Sequence, residues 1–206
     1  MYSLELNTQY EKIINDLLNQ QYSIVDDFFL PEEVQNLRSS LINKYDEEDF
    51  KKAAIGNQFN ELIVKAIRGD FIFWIDEKLA NKEEQVFFDK IAHFTNYLNR
   101  TCFLGIQERE FHYALYPEGT FYKRHLDTFQ NDDSRKLSLV CYLNDEDWLP
   151  EYGGELVIYK EDEKDIKIYP LKGRLVVFES QILEHEVKPV KQERLSITGW
   201  LKTRKL

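Results

Sequence analysis

From Glu110 onward the sequence is a succession of short β-rich runs separated by turns: EFHYALY, FYKRHLDTF, KLSLVCYLN, GELVIYK, DIKIYP, RLVVFES and RLSITGWLKT. The runs are rich in β-branched and aromatic residues and are bounded by Gly, Pro, Asn and Asp, which is how strands are punctuated. Strands that follow one another without intervening helices pair antiparallel, and two sheets built this way can enclose a pocket between them. The pattern predicts a mainly β fold of the jelly-roll kind with supporting helices. An aromatic content of 14% against only eight Gly and five Pro fits a packed body rather than a disordered one.

The helices belong to the first half. Thr8 and Glu11 have capping-box spacing and Ile13, Ile14, Leu17 and Leu18 follow at helical intervals, which predicts a helix near residues 8–20. A strand, YSIVDDFF, follows it. Pro31 suits the first position of a second helix whose apolar stripe is Val34, Leu37, Leu41 and Tyr45. A third is predicted over about 83–99, capped by Asn81, with Val86, Phe87, Ile91, Phe94 and Leu98 on its buried side. These helices are expected to brace one outer face of the strands. At 206 residues the chain has enough apolar material for one good core, so residues 1–206 read as a single domain, with helical support over about 1–105 and the jelly-roll core over about 106–204.

Charge and cysteines narrow the surroundings. The net charge is −10, and the charge runs, Asp46 to Asp49, Asp145 to Asp147 and Glu161 to Asp165, are acidic. A chain like this does not gather Lys and Arg where phosphates would lie, so no nucleic-acid partner is expected. Solvated loops account for the acidic runs. Two cysteines, Cys102 and Cys141, allow at most one bridge and fit a reducing cytoplasm. The first residues carry no basic leader before an apolar stretch, and 18 apolar residues nowhere run together, so neither export nor a membrane partner is expected.

In FYKRHLDTF, His125 and Asp127 stand two apart, which on a strand puts an imidazole and a carboxylate on one face. The spacing alone is cheap, and the pair could be incidental. His185, in EHEVKP, lies beside the last strands, where a jelly roll could bring it opposite the first pair; otherwise it is an exposed strand-end histidine. Two His and one carboxylate on one face leave three coordination positions open, which suits non-haem Fe(II) and oxygen chemistry. Arg194 opens the run RLSITGW, and an arginine inside such an apolar strand calls for an anion. A diacid co-substrate would supply one, with the Tyr142 hydroxyl as a further donor. An ordinary surface ion pair for Arg194, and a half-buried strand tyrosine for Tyr142, are the plainer readings. His93 and His112 lack ligand spacing and read as packing or surface residues.

Taken together, KAIRGDFIFWID (Lys65 to Asp76), LYPEGTFYKRHLD, RKLSLVCYLN, DW (Asp147, Trp148), GGEL (Gly153 to Leu156), RLVVFES, HEVKP and ERLSITGW resemble the 2-oxoglutarate oxygenases of the prolyl 4-hydroxylase type. The order and spacings are most similar to the branch of oxygen-sensing prolyl hydroxylases. The resemblance implies a double-stranded β-helix, a cupin-like jelly roll, that hydroxylates its substrate while 2-oxoglutarate is decarboxylated to succinate. It implies Fe(II) on His125, Asp127 and His185, with O2 as oxidant and ascorbate as an accessory reductant. Arg194 and Tyr142 would hold the far carboxylate of 2-oxoglutarate, and Tyr116 and Thr198 would line the same pocket. Arg68, Asp70, Arg135 and Trp200 match positions around the substrate-facing mouth; a loop ion pair for the first two and a core position for Trp200 are the plainer readings.

The implied substrate is a prolyl residue in a protein or peptide. The sequence also departs from the animal sensors: the turn between Tyr116 and Tyr122 is one residue shorter, Ser138 stands where they have threonine, and counterparts of their C-terminal helical extension and N-terminal zinc-binding module are not expected. These departures bear on substrate more than on chemistry. Two rival readings stand beside the protein hydroxylase, an oxygenase of a free amino acid or other small molecule and a non-catalytic jelly-roll binding module.

Overall fold

A computed structural model of the chain describes residues 6–46, 51–52, 67–128, 134–145, 148–161 and 164–204. Lys65, Ala66, Phe129, Asp147 and parts of the acidic runs, residues 47–49, 146 and 162–163, lie outside the described residues.

Among the described residues, three α-helices, α1 (Thr8–Gln20), α2 (Pro31–Asp46) and α3 (Lys82–Thr101), precede most of the strands. The cap of α1 is Asn7 rather than Thr8: its side-chain oxygen accepts from the backbone N–H of Gln9 and of Tyr10, both at 3.1 Å, and Thr8 becomes the first helical residue. Asn has no methyl to place at the helix entry and ranks above Thr as a cap. Asn81 caps α3 as expected, in a reciprocal box with Glu84 whose two hydrogen bonds are both 2.9 Å. Pro31 is the first residue of α2, where its missing N–H costs nothing.

The strands are β1 (Tyr22–Val25), β2 (Lys51–Lys52), β3 (Phe71–Ile75), β4 (Ile106–Tyr116), β5 (Tyr122–His125), β6 (Arg135–Tyr142), β7 (Leu156–Tyr159), β8 (Ile166–Ile168), β9 (Leu175–Glu179), β10 (Glu184–Val187) and β11 (Arg194–Thr203). They form a seven-stranded sheet, β1-β9-β6-β11-β4-β3-β2, and a four-stranded sheet, β5-β10-β7-β8. Every pairing is antiparallel, giving the jelly roll of a 2-layer β fold with helices on one side.

Period-2 alternation divides the large sheet into two faces. Phe111, Tyr113 and Leu115 of β4, Leu137, Leu139 and Cys141 of β6, and Leu195, Ile197 and Leu201 of β11 pack with Ile13, Leu37, Leu41, Phe87, Ile91 and Phe94 of the helices. The opposite face meets the small sheet in a second apolar cluster that includes Ala114, Val140, Tyr142, Leu156, Ile158, Val176, Phe178 and Val187. Gly199 makes this tight packing possible on β11, because a Cβ there would lie 2.2 Å from the Glu110 carbonyl oxygen and from the Phe111 ring. Between the sheets, the inward positions of β11 are not apolar: Arg194, Ser196, Thr198 and Trp200 form one polar and aromatic row. Among the described residues no helix is long and apolar enough to cross a membrane.

Candidate metal centre and co-substrate pocket

His125, Asp127 and His185 converge, with one potential ligand atom from each lying within 4.8 Å of the others. The expected strand FYKRHLDTF is shorter than its composition suggests: β5 ends at His125, and Asp127 sits in the bend beyond it. The pairing of β5 with β10 explains how the site still closes. His185 is opposite His125, but Val187 is opposite Tyr122, so β5 spends one extra residue in a bulge. The bulge returns Tyr122 to the same face as His125, and their rings stack at 3.6 Å. His185 is not an exposed strand-end residue. It lies within β10 between β5 and β7, is 5% exposed, and packs its ring 4.6 Å from that of Phe178.

Each histidine has its Nδ1 committed to the backbone, His125 to the Lys123 carbonyl at 2.7 Å and His185 to the Leu183 carbonyl at 3.1 Å. A carbonyl oxygen only accepts, so Nδ1 carries the proton in both rings and the Nε2 lone pairs are left for a metal. Both Nε2 atoms lie 3.5 Å from an Asp127 carboxylate oxygen. Burial by itself pushes the Asp127 carboxyl up, but the two imidazoles and the Ser138 hydroxyl outweigh it and hold the group well below the usual carboxylate range. Burial pushes His185 down, towards the neutral form that a metal requires, against the pull of Asp127. A buried carboxylate between two imidazoles with free Nε2 lone pairs fits a divalent ion.

Support for Asp127 comes from residues that spacing did not single out for a role. Ser138 Oγ donates to Asp127 Oδ2 at 2.7 Å, and since its one proton is spent there, Ser180 Oγ donates to it in turn at 2.9 Å. Both serines are fully buried. Their signal in the sequence was a serine inside or at the end of an apolar strand, KLSLVCY and RLVVFES, which needs a polar partner once buried.

Arg194 lies deeper, 2% exposed, and no carboxylate pairs with it among the described residues. Its Nε donates to the Gly154 carbonyl at 3.0 Å, Nη1 stands 3.5 Å from Ser196 Oγ, and its guanidinium carbon is 4.9 Å from the ring centroids of both Tyr116 and Tyr142. The Tyr142 hydroxyl beside it is buried and makes no hydrogen bond. Burial pushes both phenols up, with Arg194 opposing, so both stay protonated donors. The surface ion pair and half-buried tyrosine that local sequence allowed are therefore not what the fold builds. An unpaired guanidinium with a phenol donor, both sealed from solvent, fits one carboxylate of a diacid. Gly154 is a further contributor. At φ +68°, with a would-be Cβ 3.2 Å from Arg194 Cδ and 2.7 Å from Val190, it lets the loop backbone reach the arginine stem.

At the mouth, Arg68 makes a two-pronged pair with buried Asp70 at 2.7 and 2.6 Å and lies 4.3 Å over the Tyr122 ring. Burial lowers the Arg68 pKa, but Asp70 more than compensates and the net direction is up. Arg135 lies 3.5 Å over the Trp200 ring, donates to the Asp127 carbonyl at 3.0 Å and is held by Glu110 at 2.7 Å. Thr198 Oγ1 is 3.4 Å from Ser196 Oγ on the same inner row. The structure thus groups His125, Asp127 and His185 as one cluster and sets Arg194 against Tyr116 and Tyr142, while Arg135 links the Asp127 carbonyl to Trp200. His93 bonds Tyr10 at 3.0 Å on the helical side, far from this chemistry in the fold.

The comparisons with known proteins agree with this arrangement. Residues 111–202 match the family model of the 2OG-Fe(II) oxygenase superfamily. A crystal structure of a Pseudomonas putida prolyl-4-hydroxylase is 35% identical and superimposes with a TM-score of 0.85 over 95% of this chain and 100% of that one. A Trichoplax adhaerens prolyl hydroxylase, solved with a hypoxia inducible factor oxygen degradation domain peptide, is 29% identical, with a TM-score of 0.83 over 94% of this chain and 89% of that one. A Phytophthora capsici prolyl 4-hydroxylase, 21% identical with a TM-score of 0.77 over 100% of this chain and 69% of that one, shares the fold. The chain belongs to the 2OG-Fe(II) oxygenase superfamily: it is an Fe(II)- and 2-oxoglutarate-dependent dioxygenase. Within that superfamily its likeness is to the prolyl hydroxylases.

Proposed function

We propose that this dioxygenase hydroxylates a prolyl residue in a protein or peptide, with Fe(II) on His125, Asp127 and His185 and the far carboxylate of 2-oxoglutarate on Arg194 and Tyr142. The observation that carries the cofactor part is the buried, unpaired Arg194 guanidinium lying between the same two sheets as a His/Asp/His cluster whose Nε2 atoms are free. The peptide in the 29%-identical Trichoplax structure supports a polypeptide substrate.

Fe(II) with 2-oxoglutarate and O2 supplies the C–H hydroxylation chemistry, giving succinate and CO2 as co-products. The chain's own residues bind, orient and shield. Ser138 donates to the Asp127 carboxylate and fixes its orientation, while the Lys123 and Leu183 carbonyls fix both imidazole tautomers. Tyr116, beside the Arg194 guanidinium, and Thr198, on the same inner row of β11, would line the bound co-substrate. Tyr122, stacked on His125, and Phe178, against His185, keep bulk water from the ligands. Arg68 with Asp70, and Arg135 with Trp200, are the residues this reading assigns to contact with a polypeptide.

The test is mass spectrometry of a proteome incubated with the Fe(II)-loaded enzyme, 2-oxoglutarate and O2, with Asp127→Ala as control. New hydroxyproline in specific proteins, absent with the variant, is the expected result. Succinate release from a free amino acid or small metabolite, with no hydroxyproline formed, would replace the polypeptide substrate.

A further inference from the structure

His112 stands in the middle of β4 and reads by spacing as a packing residue. Register places it elsewhere. Alternation puts it on the inner face with Ala114 and Tyr116, opposite Thr198 of β11 and opposite Trp74 of β3. Its ring is 3% exposed, 4.8 Å from the Trp74 ring and 5.6 Å from that of Trp200. Nδ1 is sealed from solvent without a hydrogen bond, and so is the neighbouring Trp200 Nε1. Burial holds the imidazole neutral, its pKa pushed down to about 3, with Arg68 adding to the effect. A neutral ring has one N–H, and burying that proton unbonded on Nδ1 costs more than leaving a lone pair there, so Nε2 is the donor. No described residue accepts from it.

The position of that donor relative to Arg194 is set by β11. The Arg194 guanidinium reaches as far as Ser196, and the Thr198–His112 row is two residues further, about 7 Å along the strand. That is comparable to the span of a five-carbon diacid. A ligand anchored by one carboxylate on Arg194 therefore brings its other end to the His112 row, which borders the metal cluster through Trp200, Arg135 and the Asp127 carbonyl. We infer that His112 Nε2–H donates a hydrogen bond to the keto-acid end of bound 2-oxoglutarate, a contact at the opposite end of the co-substrate from Arg194. The inference rests on the reading of Arg194 as the far-carboxylate anchor.

Calorimetric titration of the Mn(II)-loaded protein with 2-oxoglutarate tests it without turnover. His112→Leu and His112→Met, which keep volume and lose the donor, are expected to weaken 2-oxoglutarate binding about 10-fold. His112→Gln, which keeps a donor, is expected to restore most of the affinity, and Mn(II) affinity should be unchanged throughout. Wild-type affinity in a folded apolar variant would overturn the inference. Absence of 2-oxoglutarate binding by the wild type would instead overturn the Arg194 reading beneath it. Should neither apolar variant fold, 15N-histidine NMR of the wild type loaded with Zn(II) decides: the chain has four histidines, and the His112 ring nitrogens must shift when 2-oxoglutarate is added. An unmoved His112 signal overturns the inference equally.

Discussion

At the scale of single residues the site is a problem in burying charge. Asp127 is 8% exposed and would be driven to its neutral form by burial, yet it must be ionised to hold a metal. His185 and His125 do most to hold it ionised, and the Ser138 hydroxyl, itself steered by Ser180, adds a neutral donor that also fixes the carboxylate's orientation. Ser138→Ala should therefore weaken metal binding about 10- to 100-fold, whereas Ser138→Thr, which retains the hydroxyl, should stay close to wild type. A chelator competition with Mn(II) measures both, and an alanine variant with unaltered affinity would remove Ser138 from the site. Arg194 stood out in the sequence because a charge is chemically out of place in an apolar strand, whereas His125, Asp127 and His185 were picked out by spacing and by resemblance. Ser138 and Ser180 were not, since a buried hydroxyl and an exposed one look alike until the partner across the sheet is known.

At the scale of elements, β11 carries more of the pocket than any other strand, because its alternation sends Leu195, Ile197 and Leu201 to the helices and Arg194, Ser196 and Thr198 inward. Both periodic sets can be read from RLSITGWLKT. β10 was harder. EHEV alternates as a strand should, with His185 and Val187 buried, but it is four residues long and carries two glutamates, so its composition hides the pattern. The bulge in β5 was hidden for another reason: it is a property of the pairing with β10, and no residue of FYKRH announces it. Loop elements matter as well. Gly154→Ala would place a methyl against Val190 and Arg194 in a backbone region that L-residues avoid, at about 1–3 kcal/mol. The expected outcome is a lowered Tm and weaker 2-oxoglutarate binding with metal affinity retained. Unchanged 2-oxoglutarate affinity in calorimetry would show that the Gly154 carbonyl does not hold Arg194 in place.

At the scale of the molecule, the two sheets divide the labour. The seven-stranded sheet supplies Arg194, Tyr142, Tyr116 and Thr198 from β4, β6 and β11, while the four-stranded sheet and the bend after β5 supply His185, His125 and Asp127. Neither sheet has a complete site, so co-substrate and metal can be held together only when both are in place. The jelly-roll class was visible in the run of short strands, and the helices in their apolar stripes. The partnering of β1, β2 and β3 with the large sheet was not, because strand order depends on contacts distant in sequence. The claim that the two sheets jointly bind metal and diacid is tested most directly by an anaerobic visible titration of the protein with Fe(II) and then 2-oxoglutarate, run beside Asp127→Ala and Arg194→Ala. A weak charge-transfer band should form in the wild type, be lost in Asp127→Ala, and require about 30-fold or more 2-oxoglutarate in Arg194→Ala. No band in the wild type, or one indifferent to both substitutions, would contradict it.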